Sequence, residues 1–415
     1  MQNTTKTLAA ATCALAVTAV GGFWLYGIHA AGKSFDKAAL TNFESVLPAE
    51  VTARVTEYQG GFFSKKFVVS LQAAGGYQLG SFQGEAYPGL STKVVLTRAP
   101  DANFEQALVS GGVRGFDDRI ELSYSLWSAM RIRALPLPSA RLIYETQSFS
   151  VVSGGQCDVK PFHLDVETGG EVRIDAQSEG MVCHNGVASV FQVDGFSVSF
   201  VSQAAPIANA LNGQTAGLGQ SALTFNMGPM RTGALRHDGL EFKMRLEKED
   251  KGAGWTETVD FSIEKPVSAA LFLMFGEIAS IDRMSGTMRV TGITERLSDQ
   301  FSEIALGPIE LQADLYTMAL TNAIRDQGLA IELAPLSLTL NGVKSTLAGT
   351  IKGEAAAAGS TVIGRFLFEA DDDIVPPDLI AEAVAQGYLE QENGKIRSKI
   401  VLTPDYGTVN SIAVY

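Results

Sequence analysis

The residues Gly27-Ile28-His29-Ala30-Ala31-Gly32-Lys33-Ser34 match the phosphate-cradling loop G-x-x-x-x-G-K-S letter for letter. In such a loop the glycines bare backbone amides, the lysine reaches the phosphates and the serine reaches magnesium. That chemistry requires a short buried strand before the loop and a parallel α/β sheet around it. Here the match overlaps the end of a long apolar run and precedes stretches of antiparallel character, so it carries no nucleotide chemistry. Ser34-Phe35-Asp36-Lys37 and Ser262-Ile263-Glu264-Lys265 fit Ser-x-x-Lys, but the companion Ser-Asp-Asn and Lys-Thr-Gly elements are absent. No Gly-x-Ser-x-Gly elbow occurs. His29, His163, His184 and His237 lack the His-Glu-x-x-His spacing of a zinc helix. Asp371-Asp372-Asp373 lacks the alternate-position oxygen ligands of a calcium loop and reads as a solvated turn. No catalytic residue, metal site or cofactor is expected.

Cysteine usage is more informative. Cys157 and Cys183 are the only cysteines outside the apolar N-terminal run, which holds Cys13. They lie in neighbouring strand-like stretches, as expected for one disulfide made in an oxidising compartment. The bridge would stabilise the fold by roughly 3 kcal/mol on the loop-entropy model. Two unrelated buried thiols are the alternative.

The elements that would position any site begin with the run Leu8 to Ile28, which contains no charged residue. It matches the ~20 apolar residues that cross a ~30 Å hydrocarbon core as a helix. Phe23, Trp24 and Tyr26 crowd its end, where aromatic rings favour the headgroup region, and Lys33 and Lys37 follow. The alternative is a cleaved signal peptide with small residues at Val17-Thr18-Ala19 or Ile28-His29-Ala30. The run exceeds the roughly 7–15 residues of a signal h-region, which favours an anchor. Flanking charge hardly decides orientation. Phe35, Ala39, Phe43, Val46 and Leu47 then predict a short helical link ending at Pro48.

Beyond that link the apolar period changes to two. Leu240, Phe242, Met244 and Leu246 alternate with Glu241, Lys243, Arg245 and Glu247, and Trp255 to Ile263 repeats the pattern after a turn. This predicts a hairpin with one dry face and one wet face. Asn341-Gly342 predicts a second hairpin between Leu336–Leu340 and Leu347–Ile351. Similar alternation marks Phe67–Leu71, Ile120–Leu126, Leu142–Ser150, Val172–Ile174, Val187–Val193, Phe196–Phe200 and Ile396–Leu402. Closely spaced strands with glycine-containing turns imply antiparallel meanders. Helices are expected at Ala204–Leu211, Asp314–Gln327 and Asp378–Leu389. Val267–Ile281 reads as a buried helix or strand too short to span a membrane. Gly213–Gly219 and Ala355–Ser360 read as small-residue loops, and a seam is expected near Lys265-Pro266.

Several short elements resemble the YdgA-like family of bacterial inner-membrane-anchored envelope proteins, whose molecular function is not established. They are the anchor running into Gly32-Lys33 and the element Tyr58-Gln59-Gly60-Gly61-Phe62-Phe63-Ser64, with Gly60 where the family carries a basic residue. Ala334-Pro335-Leu336-Ser337-Leu338 and Gln386-Gly387-Tyr388-Leu389 followed by Gly394 complete the set. The resemblance implies a short cytoplasmic tail, one anchor and a large periplasmic β-rich body. It carries over no catalytic residue. Read physically, Tyr58 to Ser64 is a turn with aromatic side chains folded over it, or else an aromatic lip for a ligand. Gln386 to Leu389 is a helix C-terminus broken by Gly387.

The chain of 415 residues carries 45 acidic and 32 basic residues, a formal charge of −13 and a pI near 4.9. That sign disfavours nucleic acid as a partner. The expected fold is mainly β (α+β): an extended antiparallel β-meander body with a few packed helices, on one N-terminal transmembrane helix. The expected order is tail (1–7), anchor (8–29), helical linker (30–48), N-terminal β-rich half (49–265) and C-terminal β-rich half with helices (266–415). The expected function is a non-catalytic binding or scaffolding protein of the cell envelope, held in the bacterial inner membrane with its body in the periplasm. Its ligand would be a lipid or an envelope polypeptide in an apolar groove. A hydrolase assembled from distant residues and a homo-oligomeric structural protein are the alternatives.

Overall fold

The computed structural model describes residues 51–60, 64–73, 78–87, 91–99, 102–125, 139–152, 155–185, 188–211, 217–232, 235–249, 254–268, 281–305, 309–340, 342–356, 359–373 and 377–414. The expected anchor, the helical link and the phosphate-loop match all lie outside these residues. No helix among the described residues is long and apolar enough to cross a membrane. The described chain is mainly β, with few helices, and divides into two compact units, Met1–Ala208 and Asn209–Tyr415.

In the first unit the strands Val51–Gly60, Lys65–Ala73, Gln78–Tyr87, Ser91–Arg98, Asp118–Ser125, Ala140–Thr146, Phe162–Thr168, Glu171–Ser178 and Phe196–Gln203 pair antiparallel in that order. A second sheet joins Val113–Arg114, Phe149–Val152, Gln156–Val159, Met181–Asn185 and Ala188–Val193. The two sheets share long hairpins that bend as they pass from one to the other. Gly180 sits at one such bend with φ +118°, and a Cβ there would lie 2.1 Å from Val193 O. Only glycine permits that approach.

Period-two alternation puts Val69, Phe82, Val94, Leu96, Ile120, Leu122, Leu142 and Tyr144 on one face, each no more than 5% exposed. Burying such side chains contributes about 1.5–3 kcal/mol each relative to exposure. Phe67 lies directly across from Gly84, where its ring fills the space that a Cβ would need. The opposite face carries Lys66–Glu85, Lys93–Glu121 and Arg141–Asp165 ion pairs. One ion pair sits on the dry face instead. Asp118, whose side chain is fully buried, takes a two-pronged contact from Arg98 at 2.7 and 2.8 Å, and the guanidinium stacks on Phe82 and Phe116. Helix α1, Ala102–Ser110, follows the Arg98 strand, and α2, Ala204–Leu211, packs Ala204 and Ala208 on Val172.

In the second unit the strands Ser221–Met227, Gly239–Lys248, Trp255–Glu264, Ile281–Ile293, Ala330–Leu340, Val343–Ala356, Gly359–Asp371 and Lys395–Leu402 pair antiparallel in chain order. A small sheet joins Met230–Thr232, Leu235–His237 and Val267–Ser268. Helices α3, Glu295–Ala305, and α4, Ile309–Asp326, cover one corner of the main sheet: Leu297, Ala323, Ile324 and Leu329 pack on Val290, Ile331 and Ile351. Helix α5, Pro377–Ala385, places Ile380 against Ala370 and Ile396.

Both predicted hairpins are present, with Gly342 at φ +80° in the second turn. Val267–Ser268 and Ile281 belong to strands, one of the two expected forms, with residues 269–280 outside the described set. Two readings change. Ala355–Ser360 is no loop, because Ala355 pairs with Ser360 and Ala356 with Gly359. Leu142–Ser150 is two strands, one in each sheet, broken at Gln147 and Ser148. The division between units falls at Ala208/Asn209. Lys265 and Pro266 lie inside the second unit, where Lys265 N–H donates to Asp282 O.

Candidate functional site: an open apolar sheet face

The faces of the second unit's main sheet are set by register. Met244, Val259, Met288, Leu333, Gly349, Phe366 and Ile400 stand opposite one another strand by strand. Beside this row run Phe225, Phe242 and Phe261, and then Leu240, Ile263, Met284 and Leu338. Every one of these side chains is half-buried rather than buried. Among the described residues, the equivalent face in the first unit is buried from Phe67 to Thr146 apart from Arg98, and is half-buried at Val55, Phe162, Leu164, Ile174, Val198 and Phe200. With strands about 4.8 Å apart, the long row of the second unit extends roughly 30 Å. Glu257 interrupts this dry face between Leu246 and Val290, and burial holds its carboxyl above the usual carboxylate range. The face is chemically inert and suited to binding apolar surface.

The wet face of the first unit forms a concavity of about 970 Å³, lined by Glu57, Gln59, Gln83 and Tyr87 among others. Its cations are matched internally. Lys66 pairs with Glu85 at 3.5 Å, and Lys93 and Arg119 share Glu121 at 2.6 and 3.1 Å. It offers hydrogen bonds without a reactive group.

The residues singled out in the sequence fall in separate places. Cys157 and Cys183 form a disulfide between directly opposed positions of adjacent strands, with Cα atoms 3.9 Å apart. Tyr58 lines the polar concavity and Ser64 precedes the second strand; Gly61 and Phe63 lie outside the described residues. Pro335 and Leu336 form a bulge in the Ala330–Leu340 strand. Gly387, at φ +81°, follows α5, and its N–H donates to Val384 O while Tyr388 N–H donates to Ala383 O. Tyr388 O accepts from Ser398 Oγ at 2.8 Å, and Leu389 packs on the Ala370, Ile380 and Ile396 cluster.

No catalytic constellation forms from the described candidates. Ser262 Oγ accepts from Arg283 Nε at 3.1 Å, while Lys265 Nζ meets Asp238 at 2.9 Å. His163 Nδ1 lies 3.2 Å from Glu145. His237 is 4% exposed, and burial holds its imidazole below the ordinary range despite Asp238 beside it. Asp372 accepts from Gln391 and sits in a turn. Among the described residues no three His, Cys, Asp or Glu side chains are grouped to hold a metal ion. Alternation marked the wet and dry residues one strand at a time, and an open apolar groove was expected, but sequence reasoning did not say which dry face stays half-open. Comparison of the chain with protein-family models, curated proteins and solved structures found no match.

Proposed function

We propose that this chain is a non-catalytic binding protein of the bacterial cell envelope, anchored by Leu8 to Ile28, whose second unit holds a lipid acyl chain along the apolar face of its main sheet. The observation that carries this reading is the half-open dry face from Phe225 to Ile400, in contrast to the buried described residues from Phe67 to Thr146 on the first unit's dry face. An acyl chain suits it better than a polypeptide does. A peptide laid on an apolar face would leave its N–H and C=O groups unpaired at a cost, whereas peptide capture normally uses a sheet edge. The row is long enough, since one chain reaches through only half of a ~30 Å bilayer core. The Cys157–Cys183 disulfide supports an oxidising compartment, and the likeness to the YdgA-like family supports a periplasmic body.

The test is mass spectrometry of lipid extracted from full-length protein purified in detergent. Lipid above the level of an unrelated anchored control is expected, and Val259→Asp with Phe366→Asp should abolish it. Absence of enriched lipid refutes the reading. Enriched peptide in its place would assign the face to polypeptide, and a dimer that excludes both would assign it to self-association.

A further inference from the structure

In the main sheet of the second unit the element Ala334-Pro335-Leu336 has a geometric consequence. The Ala330–Leu340 strand slips register on both sides here, and Gly286 on the neighbouring strand is skipped in the pairing between Ser285 and Thr287. Leu336 drops over Gly286, where a Cβ would lie 2.2 Å from Leu336 Cδ2. Pro335, which has no N–H to leave unpaired at a bulge, is exposed and walls a concavity of about 380 Å³.

The charges in that concavity do not balance. Lys243, Arg245 and Arg283 line it with Glu241 and Asp260. Glu241 is held by Lys243 at 2.6 Å. Asp260 accepts from Thr287 Oγ1 at 2.5 Å and meets Arg245 at 3.4 Å. Arg283 is left over. Its Nε donates to Ser262 Oγ, which fixes the guanidinium plane, and it makes no ion pair with a described residue, including Glu264 directly opposite it in the register. An oriented guanidinium fork, with the Ser262 and Ser285 hydroxyls beside it, is the donor arrangement that recognises a tetrahedral oxyanion. The surplus cation stands out on a chain of charge −13.

We propose that this concavity binds a phosphate group, with Arg283 as the principal contact and Lys243 and Arg245 supplying the surrounding positive field. The group could belong to a lipid headgroup or to a soluble phosphoester, since the chemistry recognised is the same. The site lies on the face opposite the proposed acyl-chain surface, so either proposal can fail without the other.

The test is titration calorimetry of the detergent-solubilised full chain, first with inorganic phosphate and then with a short-chain phosphatidylglycerol below its micellar concentration. Saturable binding is expected, weakened at least tenfold by Arg283→Ala and less by Arg283→Lys. Lys66→Ala, in the other concavity, should leave it unchanged. Equal affinity for both ligands assigns the site to the phosphate group alone, and tighter binding of the lipid assigns it to a headgroup. No saturable binding by the unaltered chain, or equal binding by Arg283→Ala, overturns the proposal. Hydrogen exchange across Trp255–Glu264 and Ile281–Ile293 verifies that each variant keeps the sheet.

Discussion

Replacing Asp118 by Asn is the sharpest probe of what holds the first unit together. The Asp118 side chain is fully buried, Arg98 is 11% exposed, and the two make contacts of 2.7 and 2.8 Å on the dry face. Removing the carboxylate charge takes the buried counter-ion from a guanidinium that lies 4.9 and 5.1 Å from the ring centroids of Phe82 and Phe116. Breaking a buried pair in this way costs about 3–5 kcal/mol, because the remaining ion keeps its desolvation penalty and loses the opposite charge that offset it. At about 1.4 kcal/mol per decade, amide exchange in Ser91–Arg98 and Asp118–Ser125 should quicken by roughly two to three and a half orders of magnitude. Hydrogen-exchange mass spectrometry reads this directly, and peptides from Trp255–Glu264 in the other unit serve as the internal control. The double variant Arg98→Met with Asp118→Leu, which leaves no unpaired charge, should recover most of the loss. An Asp118→Asn effect below about tenfold, or a double variant as damaged as the single one, would refute the argument.

Three further outcomes follow from the same geometry. Cys183→Ser should lower stability by roughly 3 kcal/mol on the loop-entropy model, seen as an earlier urea midpoint for the first unit that matches the wild type in reductant. The Glu354 carboxyl, held by Arg365 and then by Lys352, should titrate at about 2 by carbon NMR. Its contribution to stability is therefore full above about pH 4.5 and fades as pH falls towards 2, and Arg365→Gln should return the titration most of the way to 4.5. Gly387→Ala should cost about 1–2 kcal/mol for its left-handed backbone, and more than Gly394→Ala in thermal melts. Both glycines have positive φ, but a Cβ at Gly387 meets Ile412 Cδ1 at 2.7 Å and one at Gly394 meets nothing.

How far the fold could be read in advance depended on whether each strand declared its two faces. Gly239–Lys248 and Trp255–Glu264 did, because large apolar and charged side chains alternate without a break. Gln78–Tyr87 did not. Its inward positions include Gly80, Gly84 and Ala86, and at Gly84 the ring of Phe67 from the neighbouring strand occupies the space, so its pattern makes sense only in pairs. Helix α3 was overlooked because its core stripe is sparse, although Thr294 offers a cap whose Oγ1 accepts from Leu297 N–H at 3.3 Å. The phosphate concavity was out of reach. Lys243 and Arg245 come from one strand and Arg283 from another, with Trp255–Glu264 between them, and the Pro335 that walls the concavity stands in a bulge whose residues look like ordinary strand.

The meander order of the second unit has a consequence for how the chain reaches its structure. From Ser221 to Leu402 every neighbour in the main sheet is the next long strand in sequence, so each new pairing closes a local connection, the longer ones after Ile293 and Asp371 being shortened by their helices. Loop closure is the entropy that slows β-rich folding, and here it is met in small instalments. Such a sheet can grow one hairpin at a time from its first strand, while residues beyond Ile293 are still being delivered. A polypeptide threaded lengthwise into a compartment could thus begin folding before its last strands arrive, with each incomplete edge covered by the next segment to emerge.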